Sequence, residues 1–95
     1  MIIKREIPEL YAQEEVEDPL VYVSVKIGES FWLITEYNPK EKTAFGFAQM
    51  FEGGGELGYI HIPELEEAYK SFGGEVINYD IPKPMSELKR AFCGA

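Results

Sequence analysis

In Val21-Tyr22-Val23-Ser24-Val25-Lys26-Ile27 every odd position is aliphatic and β-branched, while Ser24 and Lys26 fall on the other side of the alternation. Period two with that composition is the pattern of a half-buried strand. A strand needs partners, and the next residues supply them. Gly28-Glu29-Ser30 reads as a turn into a second strand over residues 31–37, apolar on both faces until Glu36. Such a strand is expected at the centre of its sheet. A third strand is expected over residues 43–51, with Phe45, Phe47 and Phe51 on one side. Ala44, Gly46 and Ala48 lie on the other, small enough for another backbone or a helix to come close.

Gly53-Gly54-Gly55 then reads as a flexible hairpin connection. A phosphate-binding loop would need a Gly-Lys-Ser/Thr ending and a helix directly after it, and the sequence has neither. The fourth strand, residues 57–62, passes into a helix with Pro63 at its first position, where the missing N–H costs nothing. Leu65, Ala68, Tyr69 and Phe72 recur at helical spacing as one buried stripe. Gly73-Gly74 closes the helix. Residues 75–81 form a fifth strand, with Val76 or Ile77 setting its buried face. Pro82-Lys83-Pro84 is read as a break, and residues 85–92 as a last helix with Leu88, Ala91 and Phe92 inward. Ahead of all this, Pro8 interrupts the first segment, Leu10 and Tyr11 serve as anchors, and residues 13–18 read as an exposed acidic loop closed by Asp18-Pro19.

The expected fold is therefore α+β: a mostly antiparallel sheet of four or five strands with two short helices in a single layer packed on it. At 95 residues one domain is expected over residues 1–95, as an acidic arm (1–19) ahead of a core (20–92). A chain of this size buries roughly 65% of its unfolded surface, enough for one core without staples. The single Cys93 forms no internal disulfide and points to a reducing cytoplasm. Neither a signal-peptide pattern nor an apolar run of membrane-spanning length is present, so no membrane partner is expected.

The formal net charge is −8, with 17 acidic and 9 basic residues. Half of that excess falls in residues 1–20 and half in residues 52–70. Affinity for nucleic acid rests on Lys and Arg neutralising phosphates, so direct binding of DNA or RNA is not expected. A basic partner suits this surface better. The residues expected to carry such docking are Glu52, Glu56, Tyr59, Glu64 and Glu67. Glu64, Glu66 and Glu67 also have an ordinary role, since carboxylates are favoured in the first turns of a helix, and Glu66 is spaced to pair with Lys70.

For chemistry the inventory is short. His61 is the only histidine and Cys93 the only thiol, which leaves no ligand set for a structural zinc site; no metal and no cofactor are expected. No serine or cysteine sits on a nucleophile motif with a base. Glu36, in a strand lined by Trp32 and Ile34, is a candidate general acid if buried. An alternative reading is thus a small enzyme or small-molecule binder with a pocket around Trp32, Glu36, Tyr59 and His61. A further alternative is an oligomeric scaffold formed through an exposed edge strand.

Six segments, taken together, resemble a known but uncharacterised family: Asp18-Pro19-Leu20-Val21-Tyr22-Val23, Phe31-Trp32-Leu33-Ile34-Thr35-Glu36-Tyr37, Phe45-Gly46, Glu56-Leu57-Gly58-Tyr59, Glu64-Leu65-Glu66 and Pro84-Met85-Ser86-Glu87-Leu88. It is a set of small bacterial, plasmid and phage proteins with a domain of unknown function. The resemblance runs from about Pro8 to Phe92 and implies no activity, cofactor or catalytic residue. It implies a context, that of mobile elements carrying genes for DNA transfer and resistance to host defence. Where relatives tend to open each helix with Ser or Thr, this chain has Pro63 and Lys83. The reading that follows is a non-enzymatic binding protein of a phage, plasmid or other mobile element, docking on a basic host protein that handles nucleic acid. Its sharpest form is an anti-defence inhibitor of a restriction or CRISPR effector.

Overall fold

The computed structural model describes residues 2–50 and 55–92. Five strands, β1 (Leu20–Ile27), β2 (Ser30–Asn38), β3 (Thr43–Gln49), β4 (Glu56–His61) and β5 (Glu75–Pro84), form one sheet in the order β4-β3-β2-β1-β5, with every pairing antiparallel. Helix α1 (Ile62–Phe72) joins β4 to β5, and helix α2 (Met85–Phe92) follows β5. The α+β class holds, with β2 at the centre as its two apolar faces require. The third strand takes in residues up to Gln49 and not Met50, the expected end at Phe51 lies outside the described residues, and the fourth ends one residue early, at His61.

Because β2 is apolar on both sides, the sheet builds a core on each. Ile34 pairs with Val23 and joins Val25, Tyr37, Ala44 and Ile60 under Ile62 and Leu65 of α1. Leu33 pairs with Phe47 and joins Val21 and Phe31 under Met85 and Leu88 of α2. The helices therefore lie on opposite faces, where a single helical layer was expected. Ser24 shows the consequence. It is buried, not solvated, and its hydroxyl is hydrogen-bonded to that of Tyr79 at 2.9 Å.

The N-terminal segment belongs to the core and is not a separate arm. Ile2 and Ile3 are buried on the α1 face. The Lys4 N–H donates to Asn78 Oδ1 at 2.8 Å, Arg5 stacks over Tyr22 and donates to the Tyr79 carbonyl, and the Pro8 carbonyl accepts the Tyr37 N–H at 2.9 Å. The chain then crosses to the α2 face.

Both helix starts lack a local side-chain cap, and remote groups take over. For α1, the Lys42 carbonyl accepts the Ile62 N–H at 3.0 Å. For α2, the Pro19 carbonyl accepts the Met85 N–H at 2.9 Å, while Asp18 accepts the Ser86 N–H at 2.9 Å and its hydroxyl at 2.6 Å. Asp18-Pro19 is thus a clamp on the first turn of α2, satisfying amides a helix leaves open.

Two expectations fail for stated reasons. The segment 82–84 does not break the chain: β5 runs through Pro84, because it is an edge strand and proline is tolerated there. Its register shifts so that residues 79–82 stand opposite Tyr22 alone. The α1 stripe also stops early. Phe72 is 79% exposed, since Gly73, at φ 72°, turns the chain away with its N–H on the Tyr69 carbonyl.

Candidate functional site

Edge strand β4 pairs with β3 on one side only, so its other side is an open row of backbone donors and acceptors. Its middle carries two large apolar side chains facing solvent, Leu57 at 57% and Tyr59 at 59% exposure. Tyr59 is held in place: its ring meets Phe45 edge-on at 5.4 Å, and its hydroxyl is hydrogen-bonded to that of Tyr11 at 2.7 Å. That bond holds the Tyr59 phenol above its ordinary 10.0, with burial and the nearby Glu14 and Glu36 acting the same way.

Tyr59 borders two hollows. One, of about 310 Å³, lies between β4 and α1 and is lined by Trp32, His61, Glu64 and Ala68. The other, of about 320 Å³, lies between residues 11–19 and the α2 face of the sheet, with Val16, Glu17, Glu36 and Leu57 in its wall. The pocket expected around Trp32, Glu36, Tyr59 and His61 is therefore divided. Alternation along β2 sends Trp32 to the α1 face and Glu36, past a register shift, to the other.

Glu36 is buried, at 4% exposure, and its carboxylate is fully engaged. Oε1 accepts the Tyr11 N–H at 2.8 Å and Oε2 accepts the Gln13 N–H at 2.7 Å. Gln13 extends the lock, with its side chain bonded to the Leu20 N–H and carbonyl and to the Thr35 carbonyl. Glu36 thus ties the N-terminal segment to the sheet, the role of a structural anion and not of a free acid. Sequence reasoning missed its partners because backbone amides leave no trace in side-chain pattern.

The expected acidic residues fall as follows. Glu56 opens β4 beside Ala48, which lines the hollow that Glu64 also borders. Glu64 and Glu67 are exposed on adjacent turns of α1, and the Glu64 carboxylate stands 3.8 Å from His61 Nδ1. Among the described residues, neither Glu56 nor Glu67 is in an ion pair. Glu66 faces inward and accepts the Ile2 N–H at 2.8 Å. Glu52 lies outside the described residues. Exposed Tyr11 and Val16, with Glu14 and Glu17, extend the same aromatic and acidic surface past β4. No cluster of three or more metal-ligating side chains occurs among the described residues, and none of their helices is long and apolar enough to cross a membrane.

A family model described as a protein of unknown function (DUF2958) matches residues 3–89. No curated protein and no solved structure matches the chain.

Proposed function

The chain belongs to the DUF2958 family of proteins of unknown function, and from that premise we propose that it is a non-enzymatic binding protein whose acidic, aromatic edge docks on a basic surface of a protein that handles nucleic acid. The observation that carries this reading is the pairing of exposed Leu57 and Tyr59 on an open strand with Glu56 and Glu67, which are in no ion pair among the described residues, and with Glu64, which faces only His61 there. Interfaces draw their energy from a few aromatic anchors at the centre, and charged residues around them set partner choice and association rate. Glu56, Glu64 and Glu67 supply the charge here. They would occupy Lys and Arg groups that otherwise hold phosphates, and a guanidinium would stack on the Tyr59 ring. An inhibitor of a restriction or CRISPR effector in a host cytoplasm, carried by a phage or plasmid, is the most specific form of the proposal.

Affinity capture from host lysate tests it, using the parent chain, a triple variant Glu56→Lys, Glu64→Lys, Glu67→Lys, and a control that reverses Glu29, Glu75 and Glu87 elsewhere on the surface. A nucleic-acid-handling protein retained by the parent and the control, and lost with the triple variant, supports the reading. Retention by all three, or capture of no such protein, overturns it. The open edge of β4 favours a second reading, an oligomer built by strand addition; light scattering at high concentration that gives only monomer removes it.

A further inference from the structure

One cavity reverses the sign of this acidic chain. On the flank of α1 away from Glu64, a cavity of about 520 Å³ opens between residues 2–4, the β2–β3 connection, α1 and β5. Lys4, Lys42 and Lys70 line it with one carboxylate, Glu66, so the described lining carries a net charge of +2. Three of the nine basic residues of a chain with net charge −8 thus share one concavity. Among the described residues none of the three lysines is in an ion pair.

The lysines are placed by structure. Lys4 follows Ile2, whose N–H and carbonyl are held by Glu66 and Asn78. Lys42 sits in a turn at φ 54°, with its carbonyl fixed to the first amide of α1. Lys70 is in the last turn of α1.

A second observation points into the same space. Tyr37 is only 7% exposed, and its hydroxyl has no hydrogen-bond partner among the described residues. Yet no sealed polar side-chain atom there goes unsatisfied. The hydroxyl therefore opens to the one cavity of the four described that Tyr37 lines. Burial, and after it the Glu66 charge, raise the Tyr37 phenol above its ordinary value, which keeps it protonated as a donor.

We propose that this cavity binds a small phosphomonoester with an apolar or aromatic body. The phosphate, at a charge of about −1.5 to −2 near neutral pH, meets the lysines and the Tyr37 hydroxyl. The body packs against Ile2, Ile62 and Val76. The cavity volume falls within the range of about 300–1,000 Å³ usual for small-molecule sites. A monocarboxylate would leave one positive charge unmatched.

Titration of the parent chain at low salt with AMP, UMP and phenyl phosphate, followed by calorimetry and amide NMR, tests this, with inorganic phosphate and adenosine as controls. At least one phosphomonoester should saturate a single site, shift the amides of Tyr37, Lys42, Lys70 and Val76, and bind roughly ten-fold or more tighter than inorganic phosphate, with adenosine inert. The Lys42→Gln, Lys70→Gln variant changes two exposed positions, so the fold should persist while affinity falls roughly ten-fold or more. Tyr37→Phe, nearly isosteric, should weaken binding several-fold. No saturable binding by any of the three compounds, unchanged affinity in the lysine variant, shifts spread equally to Lys83 and Arg90, or inorganic phosphate binding as tightly as the esters would each overturn the proposal.

Discussion

Replacing Glu36 with glutamine changes one atom type and no volume, so it isolates the carboxylate that fastens residues 11–13 to the sheet. In the parent chain each carboxylate oxygen accepts one backbone N–H, at 2.8 and 2.7 Å. A glutamine offers one oxygen and one NH₂, so one of the two amides meets a donor and loses its bond. The other bond survives without charge assistance, which roughly halves its strength. A hydrogen bond to a charged group contributes about 1.5–3 kcal/mol, so the total loss is about 2.5–4 kcal/mol. For a domain of this size that lowers Tm by about 10–30 °C, at about 4–8 °C per kcal/mol. Thermal and urea unfolding give the magnitude, and amide hydrogen exchange gives the cause. Tyr11 and Gln13 should both be protected in the parent chain, and in Glu36→Gln one of the two should exchange freely and the other faster than in the parent. Stability within about 0.5 kcal/mol of the parent, the scatter of an ordinary surface change, would refute the reasoning. So would fast exchange of both amides in the parent itself.

Asp18→Asn should destabilise α2, read as faster exchange at Ser86 and loss of the Phe92 ring contact with Phe31. Hydrogen bonds from the Ser86 hydroxyl and amide hold the Asp18 carboxyl below its ordinary 3.8. Its contribution is therefore complete above pH 3.8 and is lost as pH falls through the lower folded value, so acid titration should soften α2 in the parent and not in the variant. Gly46→Ala should cost about 3 kcal/mol or more in urea unfolding, because its Cβ would stand 1.9 Å from the Leu33 carbonyl oxygen. Tyr59, raised above 10.0 chiefly by its bond to Tyr11, stabilises the N-terminal segment below that value, and the contribution is lost as pH rises through the raised one. Ultraviolet titration should find two late-titrating tyrosines, Tyr37 and Tyr59, of which only Tyr59 moves back toward ordinary behaviour in Tyr11→Phe.

The sheet was legible because alternation is a local signal. Residues 21–27 and 31–37 carry it within themselves, and the double-sided β2 identified the centre of the sheet. What pattern cannot carry is pairing over distance. Asp18 reads as a loop residue beside a proline, and only its contact with Ser86, 68 positions on, makes it a helix cap. Glu36 reads as a lone acid in an apolar strand until the amides of Tyr11 and Gln13 arrive from 25 and 23 positions away. The division of the helices between faces escaped notice for a related reason. Phe31 and Leu33 already announced a second core, but only the connection through β5 decides which helix covers it. Of the acidic and aromatic surface, the glutamates of β4 and α1 could be read from charge alone, whereas Tyr11 and Val16 joined it only through the folding of the N-terminal segment.

The most direct measurement is the association rate of the parent chain with its captured protein partner across a series of salt concentrations, beside that of the triple variant reversed at Glu56, Glu64 and Glu67. Steering by that edge should make the parent rate fall roughly ten-fold or more from low to physiological salt, while the variant associates slowly at every concentration. Equal rates for the two, or a parent rate indifferent to salt, would contradict electrostatic docking through β4 and α1.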